Sequence, residues 1–242
     1  MAVEQPRTQL RRITSEAIAE ARGRDVLADP VLEGSGGPAG NARLTAWTGL
    51  LLLVLFVAEL ITLLGVRQMI TWHLAIGALL VPPALLKTAS TGWRIVRYYT
   101  GSRPYRESGA PPLILRVLGP LVVLTTLALL GSGLALVLAG PSSGLRPLGV
   151  VLGLRVSVLT IHQAAFAAWA VVTGLHVLIR IVPAVKLTVG PANAPHRVPG
   201  GYQRAAILFM TAAGAVAFAI VVVHAGQAWS TLPQHPFRYV GH

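Results

Sequence analysis

The sequence predicts an all-α integral membrane protein, a helical bundle of about five transmembrane helices. Three observations predict it. Of the 242 residues, 54% are hydrophobic and only 12% charged, against about 25% charged in a typical soluble domain, and the mean hydropathy is +0.66. The charges cluster, and between the clusters lie apolar stretches long enough to cross a hydrocarbon core of about 30 Å, which takes about 20 helical residues. The clusters of Lys and Arg also recur at every second inter-span segment, as the positive-inside bias of membrane proteins requires.

The same composition limits function. A net charge of +12 in a soluble chain would suggest nucleic acid, but here the basic residues flank apolar spans and form no basic stripe interleaved with aromatics, so no nucleic-acid partner is expected. There is no cysteine. Disulfides, Cys-ligated iron–sulfur clusters and c-type haem attachment are therefore excluded within this chain, and a redox group would have to be held by His, Met or Lys.

In chain order, residues 1–42 read as a polar, cytoplasmic N-terminal tail that ends in Gly34-Ser35-Gly36-Gly37-Pro38. Across 8–28, Leu10, Ile13, Ala17 and Ala21 recur at helical spacing. Two readings stay open there: a short amphipathic helix with a weak apolar face, or a disordered tail. These residues hold no apolar segment of signal-peptide type, so the first span is expected to direct insertion.

The bundle occupies 43–230, with spans expected at 44–65, 69–91, 113–140, 150–182 and 205–229. Pro82 and Pro83 fall inside the second span, where neighbouring helices can satisfy the freed carbonyls. Residues 231–242 read as a short extracytoplasmic tail. Orientation follows from the cations. Arg7, Arg11, Arg12, Arg22, Arg24 and Arg43 precede span one; Arg94, Arg97, Arg103, Arg106 and Arg116 join spans two and three; Arg180, Lys186, Arg197 and Arg204 join spans four and five. Arg67, Arg146, Arg155 and Arg238 fall on the other side. Fifteen against four places the N-terminus in the cytoplasm of a multi-pass plasma-membrane protein. Lys87, inside span two, belongs to neither set.

The chemistry rests on histidine. His196, His235 and His242 read as solvated, in loops or the tail. His73, His162, His176 and His224 lie within apolar spans, where ionisable side chains are costly and mark function. His162 and His176 are 14 residues apart on one helix, which sets them about 40° apart in azimuth and about 21 Å apart along the axis. One helix thus presents two imidazoles at two depths, the arrangement that two haems stacked across a membrane need. On span two His73 and Lys87 share the same spacing, and both spans run from outside to inside. His73 is therefore expected level with His162, and Lys87 level with His176. Lysine ligates iron only as the neutral amine, a form that lipid favours over the ammonium.

With His162-Gln163-Ala164 through Leu175-His176-Val177 on one span, the chain resembles the dihaem membrane cytochromes b: the cytochrome b subunits of respiratory formate dehydrogenases and nickel–iron hydrogenases, and the bacterial b561-like proteins. Trp72-His73-Leu74 through Leu86-Lys87-Thr88 also resembles a span of actinobacterial cytochrome-b-like membrane proteins. The resemblance covers roughly residues 44–185 and has few fixed letters. It implies a four-helix haem-binding core, one or two b haems, exchange with quinone, and a redox partner such as a molybdopterin or iron–sulfur protein. The sequence departs from the formate dehydrogenase pattern in one respect: that family takes an inner-haem ligand from span one, which has no histidine here. The partner of His176 is then Lys87 or Met210 on span five, or the inner site is absent.

Other residues carry two readings each. His224 is level with the outer site and reads as a ligand, as the lining of a quinol pocket, or as an interface residue near Trp229. Glu59, the one acidic residue within a span, reads as a proton relay or quinol contact, or as a structural hydrogen bond. Arg94, Arg97 and Arg180 read as propionate partners or as topology signals. Gly49, Gly77, Gly131, Gly133 and Gly174 read as points of close macrocycle approach or as ordinary small-residue packing.

The expected function is that of a non-catalytic electron-transfer subunit, since the chain holds no flavin, pterin or nucleotide motif. The alternative is a haem-free scaffold or assembly subunit of a respiratory complex. A metal channel ranks last, because imidazoles about 21 Å apart cannot share one ion.

Overall fold

The computed structural model describes residues 6–22, 29–109, 112–189 and 198–231. His196, His235, His242 and nearly all of the predicted tail lie outside them. Five helices are long and apolar enough to cross a membrane, and the protein is a multi-pass helical membrane bundle.

Helix α1 (Pro6–Ala21) precedes the bundle, so the helical reading of the N-terminal tail is the one that forms. It is tied to the bundle by an ion pair between Glu20 and Arg180 and by Lys186 Nζ, which donates to the Arg22 carbonyl at 2.6 Å.

The first span, α2 (Gly37–Thr62), starts upstream of the predicted residue 44. Gly36 takes a left-handed φ of 83° just before it, and Pro38 stands in its first turn, where a missing N–H costs nothing and φ is already helical. The stretch that reads as a linker is therefore a helix start. After a 3-10 turn at Leu63–Gly65, the second span is α3 (Ile70–Tyr99). It outlasts the predicted apolar run because Trp93, Arg94, Arg97, Tyr98 and Tyr99 continue the helix into the interfacial zone that such residues favour. A short helix α4 (Arg103–Glu107) follows.

The third span, α5 (Leu113–Gly144), kinks where prediction ended it. Gly140 adopts φ 68° immediately before Pro141. The fourth span differs from expectation. Residues expected to begin it at 150 form an antiparallel hairpin, β1 (Gly149–Val151) with β2 (Leu154–Val156). Leu152 and Gly153 both have positive φ, the backbone of a two-residue hairpin turn. Helix α6 (Val158–Val189) starts after Ser157. The Thr160 N–H donates to Ser157 Oγ at 3.3 Å and the Ser157 N–H to Thr160 Oγ1 at 2.7 Å, a reciprocal cap that fixes the helix start. The fifth span, α7 (Gly201–Ala225), ends at Gly226, and the short α8 (Gln227–Ser230) turns over the end of the bundle.

Helices α2, α3, α5 and α6 form a four-helix core: α2 packs on α3 and α6, α5 packs along α6, and α3 touches α5. Helix α7 lies outside, against α3. Ala78, Val137, Ala219 and Val222 make one buried cluster, and Leu52, Leu80 and Ala84 another. Outward faces carry exposed Val54, Leu124, Leu138, Val171 and Leu178, an apolar jacket suited to lipid.

Candidate functional site

The core is hollow at one level. A cavity of about 810 Å³ opens between α2, α3, α5 and α6, within the usual range of about 300–1,000 Å³ for small-molecule and cofactor sites. His73 from α3 and His162 from α6 both line it, together with Phe56, Leu130, Leu134 and Phe166. The ring centres of the two histidines are 6.3 Å apart and their planes meet at 85°. The expected level match of His73 with His162 is thus present in the fold.

Each imidazole is held in the same way. His73 Nδ1 lies 2.9 Å from Glu59 Oε1 and 3.0 Å from Thr62 Oγ1. The Thr62 hydroxyl donates to the Glu59 carbonyl at 2.6 Å. With its proton engaged there, the hydroxyl can only accept from the ring, so Nδ1 carries the His73 proton. His162 Nδ1 lies 3.0 Å from Ser132 Oγ, and that hydroxyl donates to the Leu129 carbonyl at 3.0 Å. The same reasoning puts the His162 proton on Nδ1. Both rings thus carry a proton on Nδ1 and are held there by hydrogen bonding, which leaves Nε2 as the nitrogen a metal would use; orientation through the other nitrogen is usual for metal-ligating histidine.

Glycine makes room for this. A Cβ at Gly133 would come within 3.2 Å of His162 Cε1, whereas one at Gly131 would meet nothing within 4 Å. Of the predicted small-residue positions, Gly133 is therefore the one the ring requires. At Gly77 a Cβ would sit 3.4 Å from Glu59 Oε1, an ordinary contact. Below the histidines, Trp169 packs on Phe56 with ring centres 4.4 Å apart and on Phe166, and closes the floor of the cavity. Glu59 Oε2 and Trp169 Nε1 are buried with no hydrogen-bond partner among the described residues.

The level of Lys87 and His176 is built differently. Lys87 Nζ donates to the Thr45 carbonyl at 3.1 Å and rests where a Cβ at Gly49 would come within 2.7 Å of it. His176 Nδ1 is buried without a partner among the described residues, as is the Thr173 hydroxyl one turn before it. Unlike in the His73–His162 pair, no described residue holds Nδ1 of His176. Gly174 faces open space.

The remaining predicted residues stand apart from the cavity wall. His224 and Met210 are exposed on α7. Arg94 makes a two-pronged ion pair with Asp29 at 3.1 and 3.3 Å. Arg97 bonds Ser102 Oγ at 3.3 Å and lies over the rings of Trp93 and Tyr105, and Arg180 is held by Glu20. Thr62 and Ser132 escaped sequence reasoning. For Thr62 a signal existed, a hydroxyl three residues after the one intramembrane carboxylate; for Ser132 none did.

Two imidazoles on the wall of one largely apolar cavity could serve as the two axial donors of one octahedral metal within a flat macrocycle. Among the described residues no three His, Cys, Asp or Glu side chains gather round one point, so the ligands a bare transition ion needs do not converge. No family model matches the chain, and neither a curated protein nor a solved structure is similar to it.

Proposed function

We propose that the protein is a membrane cytochrome b subunit that binds haem b between His73 and His162 and carries electrons between quinone and a partner redox subunit. The observation that carries the reading is the pair of histidine rings 6.3 Å apart on the wall of one cavity, each fixed through Nδ1 by a hydroxyl. A buried haem with two imidazole ligands supplies one-electron exchange at a potential set by the ligands and their surroundings. The chain's own part is to orient both imidazoles, to exclude water with Phe56, Phe166 and Trp169, and to span the bilayer. The partner, such as a molybdopterin or iron–sulfur protein, and quinone enter from the resemblance of the histidine spacing to dihaem cytochromes b. The positive-inside asymmetry supports a cytoplasmic N-terminus in the plasma membrane.

One haem is assigned. A second at the inner level would need Lys87 to release the Thr45 carbonyl. The competing reading, a haem-free scaffold, gives no reason for two hydroxyls to set the same tautomer on two facing rings. A reduced-minus-oxidised spectrum of detergent-purified protein, with a pyridine haemochrome assay, separates the two. A b-type spectrum is expected. Protein free of haem from haem-replete cells would favour the scaffold.

A further inference from the structure

The outer mouth of the cavity holds a cation that topology alone does not explain. Arg67 lies in the tight connection between α2 and α3, after the 3-10 turn. It is exposed, yet it also lines the cavity of His73 and His162. Among the described residues no carboxylate pairs with it, whereas Arg94 and Arg180 each have an acidic partner. It is also the only Lys or Arg on the described cavity wall.

A haem b is lopsided. One edge carries two propionate carboxylates and the opposite edge is hydrocarbon. A carboxylate buried in an apolar site without a cation is strongly disfavoured, and a planar guanidinium pairs with carboxylate through two parallel hydrogen bonds. The cavity has matching polarity, with Arg67 at its mouth and Phe56 and Trp169 at its floor. We propose that Arg67 binds the haem propionates and so sets which edge of the macrocycle faces the outer surface. This rests on the haem reading and adds a residue that the sequence marks only as a topology signal.

The test is haem titration into apoprotein, followed by a redox titration, for wild type, Arg67→Gln, Arg67→Lys and Arg146→Gln. Arg146 is a second arginine on the same side and does not line the cavity. Arg67→Gln is expected to bind haem about tenfold more weakly, about 1.4 kcal/mol. Its midpoint potential should be more negative, because the lost cation favours the electron-rich ferrous state. Arg67→Lys should recover part of both, and Arg146→Gln should match wild type. Haem dimethyl ester tests the same contact without a variant that has to fold: wild type should bind it about tenfold more weakly than haem, again about 1.4 kcal/mol.

Wild type that binds haem and its diester equally, or an Arg67→Gln variant with unchanged affinity and potential, overturns the role of Arg67 and leaves the haem reading standing. An Arg146→Gln effect as large as that of Arg67→Gln overturns it too, as a general charge effect. Wild type that takes up no haem overturns both.

Discussion

His73 on α3 and His162 on α6 lie with ring centres 6.3 Å apart and planes at 85°, and each is tethered at Nδ1 by a hydroxyl that donates its own proton to a backbone carbonyl. Buried imidazoles held only for packing have no need of a common tautomer. Here the same arrangement occurs on two helices, with α2 holding one ring and α5 the other, and both leave Nε2 as the free lone pair. The proposed haem ligation would account for this duplication.

Glu59 is the acidic partner of His73. Its carboxylate accepts from Nδ1 at 2.9 Å, with the two side chains 15% and 20% exposed. On the haem reading, a carboxyl acceptor at Nδ1 would make the imidazole a stronger donor to ferric iron. Glu59→Gln is expected to raise the midpoint potential in a redox titration. Haem affinity should fall about tenfold, the low end of what loss of such an outer partner costs, because Thr62 still holds the ring.

Gly133 gives His162 its space. Gly133→Val adds three carbons where a Cβ alone already reaches 3.2 Å from the ring, so the imidazole must turn out of its position. Loss of most bound haem is expected, measured by pyridine haemochrome. Gly131→Val, with nothing within 4 Å of its added Cβ, should keep wild-type haem content.

Lys87 is a half-buried amine with one backbone acceptor and no acidic partner among the described residues. Lys87→Met keeps the shape and removes the cost of placing an ammonium in an apolar interior. By analogy with buried charges replaced by apolar isosteres, a gain of about 1 kcal/mol is expected, or about 2–4 °C in Tm for a chain of this size. The haem content should stay at one per chain. A second haem that disappears in this variant would restore the inner site.

The chain lacks cysteine, so single cysteines report topology directly. Ser102→Cys, between α3 and α4, should react with a membrane-impermeant maleimide only in inverted vesicles. Ser143→Cys, near the end of α5, should react only from the outside of intact cells. The reverse pattern would invert the orientation drawn from the arginine count.

Much of this was legible because lipid makes exceptions conspicuous. A histidine in an apolar span stands out, and counting two spans that run in the same direction put His73 level with His162. The shells around them were not legible. Membrane helices place many Ser and Thr residues that bond a carbonyl one turn back, so Thr62 and Ser132 look like Thr125 and Thr211, which do only that. Arg67 was hidden because the asymmetry that orients the chain also accounts for any flanking arginine. The start of α6 was misplaced because Val150, Val151, Leu154 and Val156 are as apolar as a span. Only the Leu152-Gly153 turn and the Ser157 cap mark the hairpin. The start of α2 was missed because glycine and proline read as a linker, whereas Pro38 in a first turn begins a helix.

Haem content of His73→Ala, His162→Ala and His176→Ala beside wild type, with the spectrum of each ferric protein, tests the central claim most directly. One low-spin b haem per chain is predicted for wild type and for His176→Ala, and its loss or conversion to high spin for both His73→Ala and His162→Ala. Full low-spin haem in either of those two variants, or none in wild type from haem-replete cells, would contradict it.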